Sequence, residues 1–365
     1  MSNKKILHII QSLGNGGCEN MLLRSLPLIN DFDHKIITLK ENGELAPAFI
    51  STGIKVETVC CNGLSVFSGI WRLRKHVKEE KPAIIITYLF HADMIGRIAL
   101  RNIIETPIIS SLRTTYNHPK YFVAQILEWL TKSIVRQYIA NSDAVKDFYV
   151  SRIGVRSENI IVIPNGIDID AYENADGSRI IQELSLPDNR FVITCVANFA
   201  VNKGHHYLLE AFESVFQENK KAYLILVGDG PERDNLERQM HRYKSKKHLI
   251  LLGRRNDVPD ILRASNCFIL PTLFEGMSNA IMEAMAAGLP IITTDIPENR
   301  ELIRTTETGI LVPPRDTEAL ENAILNLLND FEKYEMLGIN AKRDIREKFD
   351  IKTVTSRLSR FLKSL

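Results

Sequence analysis

From Cys267 to Thr294 the chain spells out one complete supersecondary unit, and few folds can contain it. The run CFIL is β-rich and stops at Pro271, after which a short loop leads to Ser278 and Asn279, both good helix N-cap residues. Ala280 to Ala287 then reads as a helix with its stop at Gly288, and Pro290 to Thr294 reads as a new strand. Strand, loop, helix, strand is one crossover of a parallel sheet, because parallel neighbours need a long connection that a helix supplies.

The same alternation recurs along the chain. Strands are predicted at Ile6 to Ile10, Lys35 to Leu39, Val56 to Val59, Ile84 to Thr87 and Ile108 to Leu112, separated by helices at Leu45 to Thr52, Phe67 to Glu80 and Ala92 to Arg101. Further strands follow at Phe191 to Val196, Tyr223 to Val227 and Leu249 to Leu252. This predicts α/β architecture with doubly wound parallel sheets, and 365 residues, 45% of them hydrophobic, can fill two cores. The expected division is a first domain over 1–168, a polar, glycine-containing hinge over 169–190, a second domain over 191–345 and an amphipathic terminal helix over 346–365.

Several classes are disfavoured. A net charge of +2 gives no global reason to expect nucleic acid. Cys18, Cys60, Cys61, Cys195 and Cys267 are odd in number and lack C-x-x-C spacing, so neither a disulfide framework nor a zinc site is expected, and a reducing compartment fits. The apolar run after Lys5 is too short for a secretory leader and reads as a first strand, and no segment approaches the ~20 apolar residues of a membrane span. The expectation is a cytoplasmic protein whose membrane contact, where there is one, is peripheral. Residues 121–137, YFVAQILEWLTKSIVRQ, are apolar on one side, with Lys132 and Arg136 for a wet face. They could touch a bilayer. Packing into the chain's own core is the favoured reading, since Trp129 and the leucines suit burial.

The loop ahead of Ser278 lies at the carboxyl end of a strand and feeds the partly positive start of a helix, which suits a phosphate. Glu275 and Glu283 stand eight positions apart, so if most of that interval rises like a helix they are on the order of 10 Å from each other. That separation fits two ends of an elongated ligand: a sugar at Glu275, a diphosphate at the helix start and a ribose at Glu283, each carboxylate accepting from hydroxyls. Taken in isolation, a pair of acids at this spacing is more often solvated or helix-capping than ligand-binding.

The surrounding EGMSNAIMEAMAAGLP closely resembles the E-x7-E segment of the GT-B glycosyltransferases of family 4, the glycosyl transferases group 1. The resemblance implies that Glu275 lies near the donor sugar, that Gly276, Met277, Ser278 and Asn279 hold sugar and phosphates, and that Glu283 binds ribose. Gly16, Gly17, Cys18 and Glu19 resemble the family's GGxE turn, whose glycines face the interdomain cleft, which makes Gly16 and Gly17 donor-side candidates. Glu19 stands where a dinucleotide fingerprint needs its third glycine, so that fingerprint fails. His91, in YLFHAD, is expected to end a strand and look toward substrate. Arg113, in SSLRTTYNH, stands where many members carry a histidine, so its location is transferred and its role is not; an acceptor hydroxyl or an acidic sugar would suit it.

Lys203 and Gly204 match the family's basic-Gly pair, which implies that Lys203 neutralises the departing diphosphate. The arginine usual just before that pair is missing, because Asn198, Ala200 and Asn202 are uncharged. Asn198 stays a donor-side candidate, and Arg254 and Arg255 are the candidates to replace the lost charge. Gly230, in VGDGP, and Asp257, in GRRNDVPDIL, match loops that hold the nucleotide, with uracil and guanine both open.

The resemblance thus implies two Rossmann-like domains facing across a cleft, with the terminal helix crossing back to the first. It implies a retaining transferase, without metal or other cofactor, moving a hexose-type sugar from a UDP- or GDP-sugar to a saccharide or lipid-linked acceptor in polysaccharide or glycoconjugate synthesis. A nucleotide-sugar epimerase, a phosphorylase and an inert sugar-nucleotide-binding protein remain as alternatives, the last because of the missing arginine.

Overall fold

The computed structural model describes residues 4–60, 66–101, 105–115 and 121–365. Cys61 and positions 116–118 of the segment that holds Arg113 lie outside the described residues. The chain divides into two units, Met1–Gly166 with Ile351–Leu365, and Ile167–Asp350.

In the first unit seven strands run parallel: β1 (Lys4–Ile10), β2 (Phe32–Thr38), β3 (Lys55–Thr58), β4 (Ile84–Tyr88), β5 (Ile108–Leu112), β6 (Gln137–Ala140) and β7 (Ile160–Val162). Their order is β3-β2-β1-β4-β5-β6-β7, so strand order reverses between β1 and β4. The central strands are buried on both faces: Ile6, Leu7, Ile9 and Ile10 are all inside, as a sheet covered by helices on each side requires. Helices Gly17–Ser25, Ala46–Ser51 and Ile351–Lys363 pack one face through Leu22, Phe49, Val354 and Leu362. Helices Val66–Glu80 and Leu89–Leu100 pack the other through Leu73, Val77, Ala92 and Leu100.

The second unit holds six parallel strands, β8 (Phe191–Val196), β9 (Ala222–Val227), β10 (Leu249–Gly253), β11 (Cys267–Leu270), β12 (Ile291–Thr294) and β13 (Ile310–Val312). They are ordered β10-β9-β8-β11-β12-β13, and the reversal falls between β8 and β11. Two parallel α/β sheets are thus present, as the alternation predicts. The chain passes from one unit to the other at Gly166–Ile167 and at Asp350–Ile351. Residues 169–190, expected as a hinge, carry the short helices Ile169–Glu173 and Ser178–Glu183. Ile169, Tyr172, Ile180 and Leu186 are buried in the second unit, so this stretch is core-forming.

One expectation is overturned. Helix Phe122–Thr131 does not bury its apolar side: Phe122 is 65% and Trp129 56% exposed, with Val123, Ile126 and Leu130 also outside. Its buried residues are Glu128 and Thr131. The cause is Arg97 on the neighbouring helix, which is 0% exposed. Its guanidinium donates to Glu128 Oε2 at 2.5 Å, Thr131 Oγ1 at 3.0 Å and Ser110 Oγ at 2.9 Å, and lies 3.3 Å from Asp93 Oδ2. Tyr149 donates to the other oxygen of Glu128 at 3.2 Å. An unpaired buried ion costs several kcal/mol, and Glu128 facing inward supplies the carboxylate that pairs the Arg97 guanidinium. Burial pushes the Asp93 carboxyl upward, with Arg97 opposing. Among the described residues no helix is long and apolar enough to cross a membrane.

Candidate active site

In the second unit, neighbouring β8 and β11 send their loops to opposite sides, and such switch points are where open α/β sheets take ligands. Three loops interlock there. The Phe199 amide donates to Asp229 O at 3.0 Å, Glu232 N to Phe199 O at 2.9 Å, and Leu273 N to Asn202 O at 2.7 Å. Thr272 Oγ1 adds a bond to Asn202 O at 3.0 Å. Glycine is required where they touch. Gly204 has φ 69°, and a Cβ on it would stand 2.1 Å from the Pro271 carbonyl oxygen. A Cβ on Gly230 would meet Asn198 Oδ1 and Phe199 O at 2.5 Å each.

Lys203 ends a 3-10 turn, Val201–Lys203, after β8. Its ammonium is ion-paired with Glu275 Oε1 on the loop after β11, and both side chains are only partly exposed. The two proposed catalytic residues, 72 positions apart, therefore meet at the switch point. Beyond Glu275, residues Gly276 and Met277 lead to Ser278, whose Oγ accepts from the Ile281 amide at 3.4 Å and caps helix Asn279–Ala287. Gly288, with φ 76°, ends it. Glu283 sits in the second turn and is buried. Here only the later part of the Glu275–Glu283 interval is helical.

The remaining donor-side candidates divide. Asn198 is exposed beside Gly230, and Arg254 is exposed in the loop after β10. Arg255 is occupied by two acids. It donates to Glu183 at 2.6 and 3.0 Å and to Asp257 at 2.8 and 2.7 Å, while Arg179 lies 3.0 Å from Asp257. Hydrogen bonds from Arg255 hold the Asp257 carboxyl below the usual range. This cluster clasps the start of helix Val258–Arg263 to helix Ser178–Glu183.

Sequence reading passed over His205, the first residue of helix His205–Glu218. It is buried beside Lys203, its ring edge-on to Phe199 at 5.0 Å, and neither ring nitrogen has a hydrogen-bond partner. Burial first, and then the Lys203 and His206 charges, push its pKa down to about 4. A histidine directly after Lys203 and Gly204 was the available signal.

Within the first unit, Gly16 is the N-cap of helix Gly17–Ser25, and Glu19 folds back over Gly16, where a Cβ would stand 2.4 Å from its Oε2. Burial raises the Glu19 carboxyl. Arg113 follows β5, donating through Nε to Ser111 Oγ and through Nη1 to Asn165 Oδ1, both at 2.8 Å. Arg113 lines a narrow cleft with Met21, Tyr88, Ile163 and Ile351. The Tyr88 hydroxyl meets His8 Nδ1, and His8 Nε2 meets His34 Nδ1, each at 2.9 Å. His91 does not end a strand: a helix starts directly at Leu89, whose φ is 65°, and leaves His91 exposed in its first turn against Phe90.

Sheets of this order with polar residues gathered at a switch point define a Rossmann-like, ligand-binding α/β protein. The family Glycosyltransferase Family 4 matches residues 22–171, and Glycosyl transferases group 1 matches residues 176–344. The chain belongs to the GT-B glycosyltransferases of family 4. It is 29% identical over 370 aligned positions, 96% of this chain and 94% of the relative, to the Escherichia coli UDP-Gal:alpha-D-GlcNAc-diphosphoundecaprenol alpha-1,3-galactosyltransferase. It is 25% identical, over 81% of each chain, to the capsular polysaccharide biosynthesis glycosyltransferase CapM of Staphylococcus aureus. Among solved structures, Anabaena Alr3699/HepE in complex with UDP-glucose superposes with a TM-score of 0.89 at 25% identity, covering 100% of both chains.

Proposed function

We propose that this glycosyltransferase moves a hexose from a UDP-sugar to a saccharide or lipid-linked acceptor, with retention at the anomeric carbon, in building a polysaccharide or glycoconjugate at the cytoplasmic face of a membrane. The observation that carries the reading is the Lys203–Glu275 pair at the β8/β11 switch point, just ahead of a capped helix start. The UDP-glucose complex of the Anabaena protein and the UDP-Gal and diphosphoundecaprenol in the Escherichia coli relative's name support UDP over GDP and a lipid-linked acceptor.

In this reading the bond between the sugar's anomeric carbon and the diphosphate breaks with its electron pair left on phosphate, and a bond to the acceptor oxygen forms. The acceptor's proton leaves to the newly freed phosphate oxygen. Lys203 and the backbone of Gly276 to Asn279 stabilise charge growing on the diphosphate, Glu275 orients the hexose and Glu283 the ribose. Gly16, Gly17, Asn198, Gly230, Arg254 and the loop clasped by Arg255 and Asp257 complete the donor side, and His91 and Arg113 are acceptor-side contacts. Neither a metal nor another cofactor is needed.

Proton NMR of UDP-galactose or UDP-glucose, with and without a lipid-linked N-acetylglucosamine acceptor, tests the reading. Transfer predicts donor loss only with acceptor and an axial anomeric linkage in the product. Donor loss without acceptor would make the protein an epimerase, dependence on free phosphate a phosphorylase, and binding without turnover an inert binder.

A further inference from the structure

Of the fourteen large apolar side chains that stand exposed among the described residues, eight lie on three successive helices of the first unit, Val66–Glu80, Leu89–Leu100 and Phe122–Thr131. The helices pack in that order, Arg74 Nε donating to Ala99 O at 2.7 Å and Arg97 reaching Glu128. Phe67, Trp71, Ile98, Phe122, Ile126 and Trp129 mark the band. Exposed apolar residues are ordinary when scattered; gathered on adjacent helices they mark an interaction surface.

The kind of partner follows from what accompanies them. The chain has two tryptophans, and both are in this band, Trp71 being 64% exposed. Each has an ammonium beside its ring, Lys75 Nζ 5.9 Å from the Trp71 centroid and Lys132 Nζ 5.6 Å from that of Trp129. Exposed Lys78, Arg101 and Arg136 add positive charge. The acids are withdrawn: Asp93 and Glu128 are buried against Arg97, and Glu80 is bound by Lys5 and Lys35. Glu79, 3.8 Å from Lys75, is the exposed acid left on these helices. Tryptophan and aliphatic groups flanked by lysine and arginine, with acids removed, match the boundary between acyl chains and anionic headgroups.

We propose that this face seats the protein on a bilayer surface containing anionic lipid, without spanning it. The inward turn of Glu128 is the device that presents the apolar side of helix Phe122–Thr131. The proposal rests on the transferase reading only for its purpose, since a lipid-linked acceptor resides in such a surface; its test uses neither donor nor acceptor, so either reading can fail alone.

Because both tryptophans lie in the band, the fluorescence of the full chain is a direct reporter. Vesicles of phosphatidylcholine mixed with phosphatidylglycerol should shift its emission to the blue, and brominated acyl chains should quench it. Added salt should weaken the binding. The Phe122→Ser/Trp129→Ser variant, checked for folding by circular dichroism and by its thermal melt, should bind about tenfold or more weakly, with Trp71 still reporting. Unchanged, unquenched emission of the full chain with anionic vesicles overturns the proposal. Equal binding to pure phosphatidylcholine removes its anionic half. Tryptophans shielded from acrylamide without lipid, in a species that sediments as a dimer, would assign the face to a second copy instead.

Discussion

Helices Asn279–Ala287 and Phe122–Thr131 are similar in length and largely apolar, yet they sit in their units in opposite senses. The former buries Ile281, Met282, Ala284 and Met285 under its sheet along with the single acid Glu283, while the latter buries only Glu128 and Thr131 and holds Trp129 in solvent. What differs is the surface opposite. The Asn279–Ala287 helix sends Ile281, Met282, Ala284 and Met285 into the main apolar core of its unit; the Phe122–Thr131 helix meets a buried guanidinium with four hydrogen bonds from Nε, Nη1 and Nη2. In helix Phe122–Thr131 the inward face is the one that meets the buried guanidinium, although five large apolar side chains stay outside. The two helices differ in what they present: one sets its capped start at the β8/β11 switch point, and the other turns an apolar face outward.

The largest effect should come from breaking that charge. Glu128→Ala leaves Arg97 buried with only part of its partners, and removing one member of a buried ion pair costs about 3–5 kcal/mol. Urea denaturation of the variant reads it directly. A loss near zero would mean that Arg97 does not hold the helix in place, and the comparison between the two helices would need another cause.

The Lys203–Glu275 pair is the counterpart in the second unit, partly exposed where the Arg97 cluster is sealed. Lys203→Ala should lower kcat by roughly two to three orders of magnitude, about 2.7–4 kcal/mol of transition-state stabilisation. Its loss of folding stability should be well below that of Glu128→Ala. Near-normal turnover in a folded variant would take Lys203 out of the chemistry, and a collapse in stability would make the pair structural like its counterpart.

A smaller effect tests the start of helix Asn279–Ala287. Ser278→Ala removes the oxygen that accepts from the Ile281 amide and should cost about 1 kcal/mol. Thermal melts of the variant against the parent measure how far that cap fixes the start of the helix.

These helices also divide what was legible in the chain. Ser278, Gly288, the strand runs on either side and the Lys203–Gly204 step are local signals, set by cap chemistry, backbone conformation and periodicity, and the structure places the elements accordingly. The rotation of Phe122–Thr131 was illegible because its cause lies 31 positions away in Arg97. The occupation of Arg255 by Glu183 spans 72 positions and was hidden for the same reason. Residues 169–190 looked like a linker because their polar, glycine-bearing middle masks four inward-facing apolar side chains.

His205 sharpens the comparison most finely, because it is a buried polar group without the hydrogen bonds that satisfy Glu128. Its folded pKa is pushed down to about 4, whereas an unfolded histidine titrates near 6.5. Above pH ~6.5 both states are neutral and the residue is neither an asset nor a burden of protonation. As pH falls from there toward about 4, the unfolded chain binds a proton that the folded protein refuses, so this residue makes stability decline over that window. His205→Phe keeps a ring against Phe199 and removes the titration. At pH 7 the variant should match the parent within about 1 kcal/mol, since deleting an unsatisfied group breaks no bond. At pH 5 it should be the more stable of the two relative to its own value at pH 7. Urea midpoints at the two pH values decide the matter: parallel changes in parent and variant would mean that His205 is protonated, and so paired, inside the folded unit.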